Sequence, residues 1–208
     1  NSRLRIIEEL LDARRLRASG AEQRFPGEDG NPFALDADMD IEGITNLVSY
    51  RALQNYLTQL SDAGIAGSQV VALKIDSAES ILSKASPEEF LYAITETAEA
   101  LNAALISHQH MMAYVGKGLF VVVSSKATME SSVPLEVEVQ GFLDEKQIEY
   151  DNGDPLDIEV SIGNPIRPSA HRTQRNMQTF DRAIARAECR EKKKRNKKRA
   201  PTIRLISL

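Results

Sequence analysis

The segment His110–Ser124 (HMMAYVGKGLFVVVS) constrains the fold more than any other stretch of this chain. Two apolar runs, His110–Val115 and Leu119–Ser124, flank Gly116-Lys117-Gly118. Each reads as a strand. Glycine supplies the positive φ that a tight turn needs, so the pair reads as a hairpin.

Around the hairpin the hydrophobic period alternates between helix and strand. Ser49–Ser61 puts Leu53, Tyr56, Leu57 and Leu60 on one helical face. Gln69–Ile75 (QVVALKI) is a β-branched run bounded by Gly67 and Asp76, which predicts a buried strand. Pro87 suits the first turn of a long helix reaching about Ser107, with Ser86 as N-cap and Glu89 completing a capping box. Leu135–Gln147 reads as a helix against the preferences of Val137, Val139 and Gly141. Leu156–Ile162 alternates as a strand, and Thr173–Lys198 reads as a long terminal helix. The order is read as β-α-α-β-β-α-β-α. The expected class is therefore α+β, an α/β sandwich with helices packed on a mostly antiparallel sheet.

Ahead of this body, residues 2–18 place Leu4, Ile7, Leu10, Leu11 and Leu16 at helical spacing among Arg and Glu. That amphipathic helix needs a partner. Pairing with a second copy, to give a homodimer, and packing back on its own domain both satisfy it. Gly20 to Asp40, with Pro26, Gly27, Gly30 and Pro32, reads as an irregular connection. The chain divides into a linker region (1–40), a body (41–199) and the start of a further linker (200–208).

Composition bounds the function. The chain has 208 residues, 42% apolar and 27% charged, which excludes disorder of the whole. One cysteine excludes a disulfide framework and a thiolate-based zinc site. No run of about 18 apolar residues is present. There is no initiator Met and no signal peptide, so a piece of a longer, cytoplasmic protein is expected. The net charge of −4 conceals an asymmetry: from Arg182 on there are 11 basic and 2 acidic residues, leaving 15 basic and 28 acidic before it. The basic end is either a solvated helix terminus, where cations complement the macrodipole, or a contact for nucleic acid or anionic lipid. No aromatic residue is interleaved with Lys192–Arg199, so there is no platform for stacked bases, and nucleic acid is not an expected partner.

Three local sequences, in this order, resemble the GGDEF domain of the diguanylate cyclase family. Glu42-Gly-Ile-Thr-Asn-Leu-Val-Ser-Tyr-Arg-Ala-Leu53 is similar to the family's opening D-x-L-T-G-L-x-N-R-R-x-L. Tyr114-Val-Gly-Lys-Gly-Leu-Phe-Val-Val-Val123 stands where the family has R-Y-G-G-D/E-E-F and a strand. Val160-Ser-Ile-Gly163 and the helix through Phe180-Asp181-Arg-Ala-Ile-Ala-Arg-Ala187 resemble S-I-G and A-D-x-A-M-Y-x-A-K. The resemblance spans residues 40–198. It implies a nucleotide-cyclase-like fold in bacterial cyclic di-GMP signalling.

The same resemblance implies that the chemistry is lost. Family members join two GTP molecules using clustered carboxylates, two divalent cations and cationic clamps. Asp76 keeps the strand-end carboxylate, a candidate relic metal ligand or else a cap or turn residue at the end of a strand. The signature loop, however, reads Gly116-Lys117-Gly118-Leu119-Phe120, with both acids gone. One carboxylate is a poor cage for two metals. The family's lysine falls at Ile81, its guanine-binding asparagine at Lys84 and its guanine-binding aspartate at Glu88. The triphosphate lysine falls at Glu188, and Lys192 stands for the arginine four residues on. The inhibitory R-x-x-D falls at Ser107-His-Gln-His110, so no cyclic di-GMP is expected there. No catalytic residue, cofactor or metal is therefore expected; GTP with Mg²⁺ at Asp76, Glu88 and Lys192 is the alternative.

Other residues carry weaker signals. His108 and His110 form H-x-H, read as polar residues at a helix–strand junction rather than metal ligands. Lys117 at the hairpin tip is either a solubilising residue or an anion contact. Cys189 reads as an inert helix residue, and Met111 and Met112 as packing. The resemblance implies an inactive GGDEF-like domain serving as a regulatory, dimerisation or protein-interaction module. Residual GTP binding or weak cyclase activity is one alternative, and a basic helix binding nucleic acid or anionic lipid is another. Thr202–Leu208 resembles the lead into an EAL phosphodiesterase domain, as in sensor–GGDEF–EAL proteins of the FimX type.

Overall fold

The structure, a computed structural model, describes residues 47–125, 129–168 and 175–199. The N-terminal helix, the irregular connection and residues 200–208 of the sequence reading lie outside the described residues, as does the opening motif up to Asn46.

Among the described residues ten elements follow in chain order: α1 (Tyr50–Gln59), α2 (Asp62–Ala66), β1 (Ser68–Ile75), α3 (Ala78–Lys84), α4 (Pro87–Ala104), β2 (Gln109–Gly116), β3 (Leu119–Ser125), α5 (Val133–Lys146), β4 (Val160–Ile162) and α6 (Arg175–Arg199). The four strands form one antiparallel sheet in the order β2-β3-β1-β4. The α+β expectation holds; between β1 and β2, where the sequence predicts one helix, the structure has two, α3 and α4.

Side chains alternate across the two central strands, because successive Cβ atoms of a strand point to opposite faces. Val71, Leu73, Ile75, Phe120 and Val122 enter a core shared with Phe90, Ile94 and Leu101 of α4 and with Leu135 and Val139 of α5. Val70, Ala72, Val121 and Val123 face the other way, onto Leu53 and Leu57 of α1 and Phe180, Ala183 and Ala187 of α6. Both faces of the sheet are covered, so β1 and β3 read as continuous apolar runs rather than alternating ones.

The local signals behave as the residues dictate. Ser86 Oγ accepts from the Glu89 amide (3.2 Å) and Glu89 Oε2 accepts from the Ser86 amide (2.5 Å), the complete capping box. Ser49 caps α1 through the Ala52 amide at 3.1 Å. The predicted helix over 49–61 is split: Ser61 accepts from the Gly64 amide and starts the short α2, leaving Leu60 between the two.

The strand predicted over 156–162 is corrected to Val160–Ile162. Three side chains take over the edge of the sheet there. Gln140 of α5 donates to the Ile158 carbonyl (2.9 Å) and accepts from the Val160 amide (3.1 Å). Glu136 Oε2 accepts from the Ile162 amide at 2.8 Å, and Lys194 donates to the Val160 carbonyl at 2.7 Å. Backbone groups that an added strand would pair are thereby satisfied and closed to edge-to-edge association.

Candidate functional site

The signature loop, the end of β1 and the second half of α6 converge at one end of the sheet. Gly116, Lys117 and Gly118 all adopt left-handed φ, of 96°, 58° and 70°. The turn is pinned from below: the Gly118 amide donates to the Tyr114 hydroxyl (3.0 Å) and the Gly118 carbonyl accepts from the Ile75 amide (2.8 Å). Leu119 and Phe120 leave the turn as buried strand residues, Phe120 tilted against Tyr114 with ring centroids 5.1 Å apart.

Gly118 is more than a position without a carboxylate. A Cβ added there would meet Ala78 Cβ at 2.7 Å and Ile75 Cβ at 3.2 Å. Real side chains do not approach that closely, so the first residue of α3 occupies the space that any side chain at 118 needs.

Asp76 follows β1 directly, and α6 lies over it. Lys194 Nζ is 3.1 Å from Asp76 Oδ2 and 4.0 Å from Glu136 Oε1. Burial pushes the Asp76 carboxyl above its ordinary range, and the neighbouring Ser161 and Lys194 offset only part of that cost. One turn earlier on α6, Glu191 accepts from the Ser77 amide (2.9 Å) and pairs with Lys74 (3.2 Å). A protein ammonium thus sits on the strand-end carboxylate, and a protein carboxylate sits on the first amide beyond it. Sequence reasoning missed Lys194, Glu191 and Ala78. Glu191 and Lys194 stand one helical turn apart, but the groups they hold at the end of β1, Lys74, Asp76 and Ser77, are more than 100 positions away in sequence.

A divalent-metal pair fits these residues poorly. Asp76 Oδ1 is buried without a hydrogen bond, which alone would suit a cation. Its other oxygen is committed to Lys194, residue 118 offers no ligand, and no group of three or more His, Cys, Asp or Glu could hold a metal among the described residues.

The remaining predicted positions are dispersed. Lys192 lines a cavity of about 460 Å³ with Lys74, Lys117, Arg195, Glu79, Glu188 and Glu191, four cations against three carboxylates. Asp76 and Lys84 border a second cavity, of about 470 Å³, which adjoins the first at Ser77, Ser80, Glu191 and Arg195. Ile81 is buried in the core. Glu88 sits in the first turn of α4 and lines neither cavity; its neighbour Glu89 takes the Ser86 and Asp151 amides instead. His110 contacts the His108 carbonyl (2.9 Å) and Asn102 (3.0 Å), a helix–strand junction as its sequence position suggests. Cys189 is exposed. No helix among the described residues is long and apolar enough to cross a membrane.

No family model matches the chain, and a search of curated proteins returns no match. Solved structures do match. The coiled coil and GGDEF domain of DgcB from Caulobacter crescentus, solved with c-di-GMP, has TM-score 0.57 at 16% identity, covering 91% of this chain and 93% of that one. The FimX GGDEF domain from Pseudomonas aeruginosa has TM-score 0.53 at 15% identity, covering 72% of this chain and 91% of its own. Diguanylate cyclase SiaD from P. aeruginosa, solved with its activator SiaC, has TM-score 0.54 at 15% identity; this chain covers only 64% of its length. At such identities the likeness establishes the fold, that of GGDEF domains.

Proposed function

We propose that this chain is a catalytically silent GGDEF-like domain that serves as a regulatory or interaction module in cyclic di-GMP signalling. The observation that carries this reading is the closed seat at Gly118, where Ala78 stands 2.7 Å from the place of a Cβ. The Asp76–Lys194 pair supports it. Together they leave neither a second metal-binding acid nor a free first one, and without two metals the attacking 3′-hydroxyl has no activating group.

A module of this kind keeps its fold because fold and chemistry rest on different residues. Leu53, Val71, Leu73, Ile75, Phe120, Val122, Val160 and Ile162 are all buried, whereas the substituted positions Lys84, Lys117 and Glu188 are exposed or half-buried. Its partners on this reading are other domains of the same polypeptide, an EAL domain among them, and a second copy through the amphipathic segment 2–18 that the sequence predicts as a helix. Nucleic acid and inhibitory cyclic di-GMP are not among them.

Calorimetry of the 208-residue chain with GTP in excess Mg²⁺ tests the reading. No heat is expected at ~1 mM GTP, a concentration that detects any affinity stronger than about −4 kcal/mol. Saturable binding in the micromolar range would replace the proposal with a GTP-sensing site at Asp76 and Lys192, and product formation would then be assayed.

A further inference from the structure

On the other flank of α6, Arg186, Arg190 and Lys193 follow one another at helical spacings of four and three, a single row of cations. They line a groove of about 430 Å³ with Ser131, Ser132 and Asn164 at the start of α5 and the exit of β4. This groove shares no residue with the cavities around Asp76 and Lys192.

The groove is held in shape by backbone packing. A Cβ at Gly163 would meet the Ala187 nitrogen and Arg186 Cβ at 2.7 Å, so the strand exit lies directly on α6. That approach lets Arg186 Nη1 donate to the Asn164 (3.1 Å) and Pro165 (2.7 Å) carbonyls, which fixes the guanidinium while leaving its other donors. Arg190 is set by a bidentate pairing with Glu136. Ser132, the residue before α5, makes no side-chain cap; its hydroxyl lies on the Ile162 carbonyl (2.8 Å) and Asn164 Oδ1 (3.1 Å). With Oδ1 so engaged, the Asn164 amide presents its NH₂ donors. Lys193 is exposed and makes no ion pair among the described residues.

Three cations against the one carboxylate of Glu136 leave two positive charges, set beside the Asn164 amide donors, the Ser131 hydroxyl, which accepts from the Val133 amide and keeps its proton, and the positive end of α5. A phosphate monoester carries close to two negative charges at neutral pH and matches the planar donors of arginine. We infer that this groove binds a phosphate dianion, free or carried on a small ester, independently of any nucleotide at the signature loop.

The test titrates the full chain, without magnesium and at constant ionic strength, with inorganic phosphate, glucose 6-phosphate and AMP. Cys189, the sole cysteine, is exposed and lines the groove, so its alkylation by N-ethylmaleimide supplies a second readout. Saturable binding is expected, slowing alkylation with the same constant. Lys193→Gln, which removes no described contact, and Arg186→Gln are each expected to weaken it by about 10-fold, as loss of one charge-assisted bond implies. Lys192→Gln, on the opposite flank, is expected to leave it unchanged. An ester binding more tightly than inorganic phosphate identifies the ester as occupant, and equal affinity identifies the free ion. Absence of binding up to ~10 mM, binding indifferent to Lys193 and Arg186, or an equal loss in Lys192→Gln overturns the inference. Because none of these arms contains GTP with Mg²⁺, their failure is separable from failure of the silent-domain reading.

Discussion

At the scale of single residues, the signature loop shows how one glycine closes a site. Gly118 combines a φ of 70° with a Cβ position 2.7 Å from Ala78. Restoring an acid there meets two costs, a left-handed backbone for a residue with a Cβ and an overlap with a neighbouring methyl. Gly118→Glu is expected to lose about 2–4 kcal/mol of stability, read from the urea midpoint, and to gain no cyclase activity. Ala78→Gly in that background removes the nearest clash, so it is expected to recover about 1 kcal/mol of the loss. A Gly118→Glu variant as stable as the parent would mean the loop rearranges freely. Position 78 carried no such signal in the sequence, where an alanine opening a short helix is unremarkable.

At the scale of elements, what was legible depended on how far apart the interacting groups lie. The capping box of α4 was legible because Ser86, Pro87 and Glu89 are adjacent, and the hairpin because its glycines flank the turn. The length of β4 was not, because Gln140, Glu136 and Lys194 satisfy its edge from two other elements. The Lys194 cover on Asp76 was hidden for the same reason. Glu89 offers a test of the element it starts. Its carboxyl is held below its usual value of 4.5 by the Asp151 amide, then by the Ser86 amide. A carboxyl lowered on folding contributes stability that is present above its unfolded value and is lost as pH falls through the folded one. Glu89→Gln keeps one acceptor of two, and is expected to cost about 1 kcal/mol at pH 7. That difference should shrink steadily below pH 4.5, as followed by urea midpoints across pH 3–7. A penalty of constant size across that range would rule out the carboxylate as its origin.

Across the whole molecule, the sheet separates two unequal cores that share its central strands. One face packs on α3, α4 and α5, the other on α1 and α6. The smaller core depends on α6, which also supplies Glu191 and Lys194 to the rim. Phe180 is fully buried there and tilted against Tyr50 at 5.6 Å. Phe180→Ala is expected to cost about 3–5 kcal/mol. Because β1 and β3 belong to both cores, Phe180→Ala and Phe90→Ala should each lower one common transition, followed by circular dichroism and by tyrosine fluorescence. Two separated transitions in either variant would show that the faces fold independently.

The contact between Ala78 and Gly118 also bears on any attempt to install a two-metal site in this chain. An acid placed at 118 meets the alanine, and a vacated 78 by itself brings no acid, while Lys194 still covers Asp76. Such a site therefore requires at least three changes in concert, the most direct of which is disfavoured on its own. A search by single substitutions is steep from the first step.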